Sequence, residues 1–112
     1  MTTQIGDGVW VSSVDAEEFA PDPEVGGMTH VLRESEGLQC GIWWSPEDLE
    51  APESFEFPHD ETIVVLEGEV EIQIEAGPTL NLKPGSIASF RKGVRSTWLP
   101  SPGFKEFWVY SG

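Results

Sequence analysis

Apolar residues in this chain recur at every second position in short runs, and glycine or proline keeps interrupting them. Period two places alternate side chains on opposite faces of a strand, so the pattern constrains the fold to β-structure. The clearest case is Thr62-Ile-Val-Val-Leu66, then Glu67-Gly68, then Glu69-Val-Glu-Ile-Gln-Ile-Glu75. Val70, Ile72 and Ile74 face one way there, and Glu69, Glu71, Gln73 and Glu75 the other. Glu67-Gly68 supplies the glycine that a tight hairpin needs. Further turns are expected at Ala76-Gly-Pro78, Lys83-Pro-Gly85, Lys92-Gly93 and Pro100-Ser-Pro-Gly103. They lead into apolar runs at Leu80 and Leu82, Ile87–Phe90, Arg95–Leu99 and Phe104–Tyr110. Earlier strands are expected at Val9–Ser13, Thr29–Leu32, Leu38–Trp44 and Ser54–Phe57. Helices have almost no room. Ser45-Pro-Glu-Asp-Leu49 carries an N-cap serine and a first-turn proline, but Pro52 stops it within a turn. Asp15-Ala-Glu-Glu18 has capping-box spacing and is equally brief. Many short strands with a turn every eight to twelve residues predict an all-β sandwich or barrel.

At 112 residues and 38% apolar, with five Trp and six Phe, the chain supports one modest core and one domain. No apolar run approaches the ~18 residues of a membrane helix, and the N-terminus lacks a signal-peptide pattern. One cysteine, Cys40, excludes an internal disulfide and a multi-cysteine metal cluster; it reads as a small buried core residue. A cytoplasmic protein is expected. Charge is distributed unevenly. Residues 1–75 hold nineteen acids against Arg33, or −18, while residues 76–112 hold five bases against Glu106, or +4, and the total is −14. A field of that sign argues against nucleic acid and against an anionic membrane as partners. It fits a solvated acidic surface, or an acidic face for docking a partner protein.

Nucleophile elbows, phosphate loops and zinc-helix motifs are absent. An ordered series of short motifs is present instead: Gly41-Ile-Trp43, Phe55-Glu-Phe57, Asp60-Glu61, Leu66-Glu-Gly-Glu69, Pro84-Gly85, Phe90-Arg-Lys-Gly93 and Thr97-Trp98. This series resembles the cupin superfamily, and within it the small single-domain cupins of the ureidoglycine aminohydrolase type. The resemblance covers residues 38–110, with residues 1–37 as added N-terminal strands, and implies an RmlC-like jelly-roll β-barrel, commonly a homodimer. The superfamily usually holds a metal through two histidines, a glutamate and a third histidine. Counted back from Glu61, the paired histidine positions fall on Ser54 and Glu56, or on Phe55 and Phe57. Counted on from Gly85, the third falls on Ser96, and the acid usual after the Pro-Gly turn is Ser86. Only Glu61 survives, and one carboxylate does not hold iron, manganese or nickel tightly. No metal or other cofactor is expected.

Three functions follow from these residues. The first is a small-molecule-binding cupin with a degenerate metal site, formed by Phe57, His59, Glu61, Ser96 and Trp98. Glu61 would fix a polar group there while aromatics cover an apolar body. The second is a metal-dependent enzyme, ureidoglycine aminohydrolase-like or acting on another small polar substrate, in which His59, two residues before Glu61, supplies a second ligand. The third is an acidic partner-binding module. His30 reads as an ordinary strand histidine. Trp44, Trp98, Trp108 and Tyr110 are further candidates for a pocket wall. Strand parity groups Trp44 with Cys40 and Ile42, whereas the resemblance assigns the family tryptophan to Trp43, so either indole could face inward.

Overall fold

The computed structural model describes residues 3–22, 26–45 and 53–112. Among the described residues there are twelve strands: β1 (Thr3–Gly6), β2 (Val9–Val11), β3 (Ala20–Pro21), β4 (Met28–Ser35), β5 (Leu38–Trp44) and β6 (Glu53–Glu56) precede β7 (Asp60–Glu67), β8 (Val70–Ile74), β9 (Thr79–Leu82), β10 (Ile87–Phe90), β11 (Arg95–Pro100) and β12 (Lys105–Ser111). No helix occurs among the described residues. Asp15–Glu18 contains only a turn, and the short helix expected from Ser45 falls, past Ser45 itself, outside the described residues.

Two antiparallel sheets make the jelly roll, one of six strands in the order β10-β7-β12-β5-β4-β3 and one of four in the order β6-β11-β8-β9. A separate β1-β2 hairpin pairs Val9–Val11 with its own chain. Gly68 turns β7 into β8 at φ +73°, and a Cβ there would stand 2.8 Å from the Phe104 Cα, so the turn accepts only glycine. Val70 and Ile72 are buried, with Ile74 packed beside them, while Glu69, Gln73 and Glu75 are exposed. The alternation read from the sequence therefore sets the register that aims one face inward.

The six-stranded sheet has a concave and a convex face. Cross-strand pairing lays three rows on the concave side: Val65–Glu106–Trp43–Thr29, Ile63–Trp108–Gly41–Val31 and Glu61–Tyr110–Gln39–Glu34. Between them runs the convex row Ile87–Val64–Phe107–Ile42–His30. The segment before β4 covers one end of that convex face. His30 is buried beneath it, its Nδ1 donating to the Glu18 carbonyl at 2.8 Å and its Nε2 2.7 Å from the Ser12 hydroxyl. Phe19 packs on both His30 and Trp44 at 5.9 Å between ring centroids. Trp44 thus belongs to the convex side with Cys40 and Ile42, and Trp43 is the inward indole. Parity groups Trp44 with Cys40 and Ile42, and the Gly-x-Trp motif marks Trp43 as the interior residue.

Candidate functional site

Between the two sheets lies a cavity of about 250 Å³. Its floor and one wall are the three concave rows, which contribute Trp43, Trp108, Tyr110, Glu61 and Glu106. The facing wall comes from Phe55, Trp98 and Pro100 of the four-stranded sheet, and Asp22 stands at the side. Gly41 has a specific part in this. A Cβ on it would run into the His30 carbonyl oxygen, so glycine lets β4 and β5 close while leaving one position of the middle row without a side chain. The Gly-x-Trp spacing then carries Trp43 to the same concave face, where its Nε1–H donates to the Gly26 carbonyl at 3.0 Å.

Two buried carboxyls, Glu61 and Glu106, meet this cavity, and both are 4% exposed. One oxygen of each, Glu61 Oε1 and Glu106 Oε1, has no hydrogen-bond partner among the described residues. Removing a carboxylate from water disfavours its charged form. Burial accordingly pushes Glu61 up to about 8, and burial together with the nearby Glu61 charge holds Glu106 well above the ordinary carboxylate range. Uncompensated buried carboxyls are costly, and strongly perturbed acids in a cleft mark functional sites.

The other residues expected at the site are placed differently from one another. Trp98 lines the cavity, and its Nε1–H donates to the Ser96 hydroxyl at 3.0 Å. Ser96 in turn donates to the Phe55 carbonyl at 2.9 Å, so both capacities of this buried hydroxyl are used in holding β6, β11 and the indole together. Phe57 is 0% exposed and sits behind the cavity wall, stacked on Phe90 at 4.5 Å and 10°. His59 lies at the bend before β7, half-buried, with its ring 5.3 Å from that of Tyr110. It is at the edge and not among the lining residues. Glu106 was missed in the sequence reading, although a signal for it existed: it is the lone acid of residues 76–112 and shares strand parity with Trp108 and Tyr110.

Of the metal donors usual for this architecture, only Glu61 has a counterpart here. Ser54 and Glu56 are exposed, and Glu56 pairs with Arg95 at 3.2 Å on the outer surface. The inward register is therefore Phe55 and Phe57, whose rings meet edge to face at 4.9 Å and fill the space that imidazoles would occupy. No group of three metal-ligating side chains forms among the described residues. The residues present do not fit a cupin metal.

A jelly roll of this topology enclosing a pocket between its sheets is a cupin. The chain belongs to the family of EutQ-like cupin domains, whose model matches residues 32–103. Among solved structures it is similar to the Clostridium difficile EutQ protein, at 16% identity and a TM-score of 0.79 over 99% of this chain and 93% of that one. A Salmonella typhimurium LT2 protein provisionally named ethanolamine utilization protein Q gives 19% and 0.80 over 99% and 92%. An RmlC-like cupin from Shewanella frigidimarina NCIMB 400 gives 17% and 0.73 over 98% and 92%. At these identities the likeness is one of fold. No curated protein matches the sequence. No helix of the described residues is long and apolar enough to cross a membrane.

Proposed function

We propose that the whole chain, residues 1–112, acts as one cupin domain that binds a small molecule in the cavity between its sheets. The observation that carries this reading is the combination of a cavity of about 250 Å³, three indole walls and two buried carboxyls with unpartnered oxygens. Apolar clefts with a few convergent polar groups are the usual form of a small-molecule site. Within the set Phe57, His59, Glu61, Ser96 and Trp98, Glu61 and Trp98 meet the ligand. Phe57 and Ser96 fix the wall from behind, and His59 stands at the mouth beside Tyr110. Glu106, Trp43 and Trp108 complete the contact surface.

The protein works in the cytoplasm as a homodimer. The support for the dimer is the convex row, where Ile87 is 74% exposed and Val64 and Phe107 are only half-buried next to it. A second reading, a metal-dependent enzyme of the ureidoglycine aminohydrolase type, is favoured by the order of the motifs around Glu61. It is disfavoured by Phe55, Phe57 and Ser96 at the ligand positions.

Titrating a library of small organic molecules while recording the indole N–H resonances tests the binding reading. Ligands should shift the signals of Trp43, Trp98 and Trp108 and leave Trp10, on β2, in place. Shifts confined to Trp10 and other outer residues would remove the cavity as the site.

A further inference from the structure

Four acids line the cavity, Asp22, Glu34, Glu61 and Glu106, and no basic residue does. The chain has only six Lys and Arg side chains, and the structure describes each of them. Lys105 pairs with Glu67 at 3.2 Å, Arg95 with Glu56 at 3.2 Å, and Arg33 lies over the Trp10 ring at 4.5 Å. Arg91 and Lys92 belong to a separate surface hollow, and Lys83 is exposed in the turn after β9. The buried oxygens of Glu61 and Glu106 therefore face a space into which the protein sends no cation of its own.

We infer that the ligand of this cavity is a small organic cation, a protonated amine on an apolar body, whose charge answers the Glu61–Glu106 pair. The inference rests on the cavity being a binding site, and it adds the ligand's charge and class. Three observations select an amine over an inorganic ion. Trp43, Trp98, Trp108 and Phe55 give the space aromatic faces, which attract organic cations and cover apolar carbon. A divalent metal needs more donors than two carboxylates, and the described residues gather no third. An ammonium has three N–H donors, which suits two separate carboxyls each with an unused oxygen. Anions are excluded by the same field, because a second negative charge beside these acids would meet only repulsion.

Proton balance follows from the same groups. The groups facing the pair are Asp22, Glu34 and Tyr110, with His59 beyond Tyr110 at the edge; none of the six Lys and Arg side chains is among them. In the empty cavity, burial favours the protonated form of both carboxyls. A cation arriving between the carboxyls makes the charged form favourable, so a proton leaves a carboxyl oxygen for solvent as the ammonium binds.

Cyclohexylammonium and its neutral isostere cyclohexanol make the test, followed by calorimetry and tryptophan fluorescence on the full chain. The amine should bind at least tenfold more tightly than the alcohol. Titrations in buffers of different ionisation enthalpy should show net proton release between pH 6 and 8. Glu61→Gln and Glu106→Gln, isosteric with the protonated acids and so expected to fold, should each weaken the amine at least tenfold and the alcohol by a much smaller factor. Equal affinity for amine and alcohol would overturn the cation inference while leaving the cavity a binding site. Magnesium or manganese binding more tightly than the amine, and displacing it, would overturn it in favour of a metal. Failure of every probe to bind would sink the binding reading itself.

Discussion

Glu106 and Glu61 tie stability to pH through their burial. Both carboxyls hold protons in the folded state at pH values where the unfolded chain has released them. The contribution is therefore fully present below the ordinary carboxylate value of 4.5 and is lost as pH rises, for Glu61 through about 8. Each proton retained in this way changes stability by roughly 1.4 kcal/mol per pH unit. Thermal melts from pH 5 to 8 should show stability falling with pH, less steeply in Glu61→Gln and Glu106→Gln and least steeply in the double variant. Slopes equal to that of the native chain would mean that these acids ionise as they do in open water. At this scale the sequence was partly legible. Glu61 was found through its place in a motif and Trp98 through its Thr-Trp pair, whereas Glu106 belongs to no motif. Its importance comes from a cross-strand register, Trp43 opposite Glu106 and Glu106 opposite Val65, which is a property of sheet pairing and not of local pattern. The motif leaves the histidine positions open between Ser54 with Glu56 and Phe55 with Phe57, and only the pairing of β6 with β11 brings Phe55 to the cavity wall.

Among the elements, β5 has the tightest requirements. Its glycine allows β4 to approach, its Trp43 enters the cavity, and its Cys40 and Ile42 close the convex side. Gly41→Ala should cost about 1–3 kcal/mol, the usual range for forcing atoms into a packed interior, as read by urea denaturation. It should also change the emission of Trp43 and Trp108, which share its neighbourhood. Gly68→Ala should cost a similar amount, because its Cβ would strike the Phe104 backbone at a positive φ, but it should leave that emission unaltered. Equal spectral change in both variants would deny Gly41 its place beside the cavity. The elements themselves were mostly readable, since period two and turn residues are local signals. Thr62–Leu66 lies within β7, and Leu38–Trp44 coincides with β5. The early strand Thr29–Leu32 extends in fact over Met28–Ser35, with a bulge between Val31 and Arg33. Such a bulge carries the strand past polar residues that alternation alone would have ended on.

For the molecule as a whole, charge and the convex face act in opposite senses on self-association. Each copy carries −14, so two copies repel, while exposed Ile87 and the half-buried Val64 and Phe107 beside it favour contact. Sedimentation at micromolar concentration should give about twice 12.4 kDa. Screening should tighten the dimer as sodium chloride is raised, because the Debye length shrinks from about 10 Å at 0.1 M to about 3 Å at 1 M. Ile87→Glu should return the protein to the monomer without changing its circular dichroism. A monomer at every salt concentration would reject the convex face as an interface. The aromatic filling of the ligand positions has a consequence of another kind. In a cupin that depends on iron or manganese, a newly made chain must still be loaded, and the working fraction follows the supply of the ion. With Phe55 and Phe57 packed where imidazoles would stand, the interior is finished when the strands have paired. Every folded molecule is then competent, and a titration of sites should return the protein concentration whatever the trace metals in the medium.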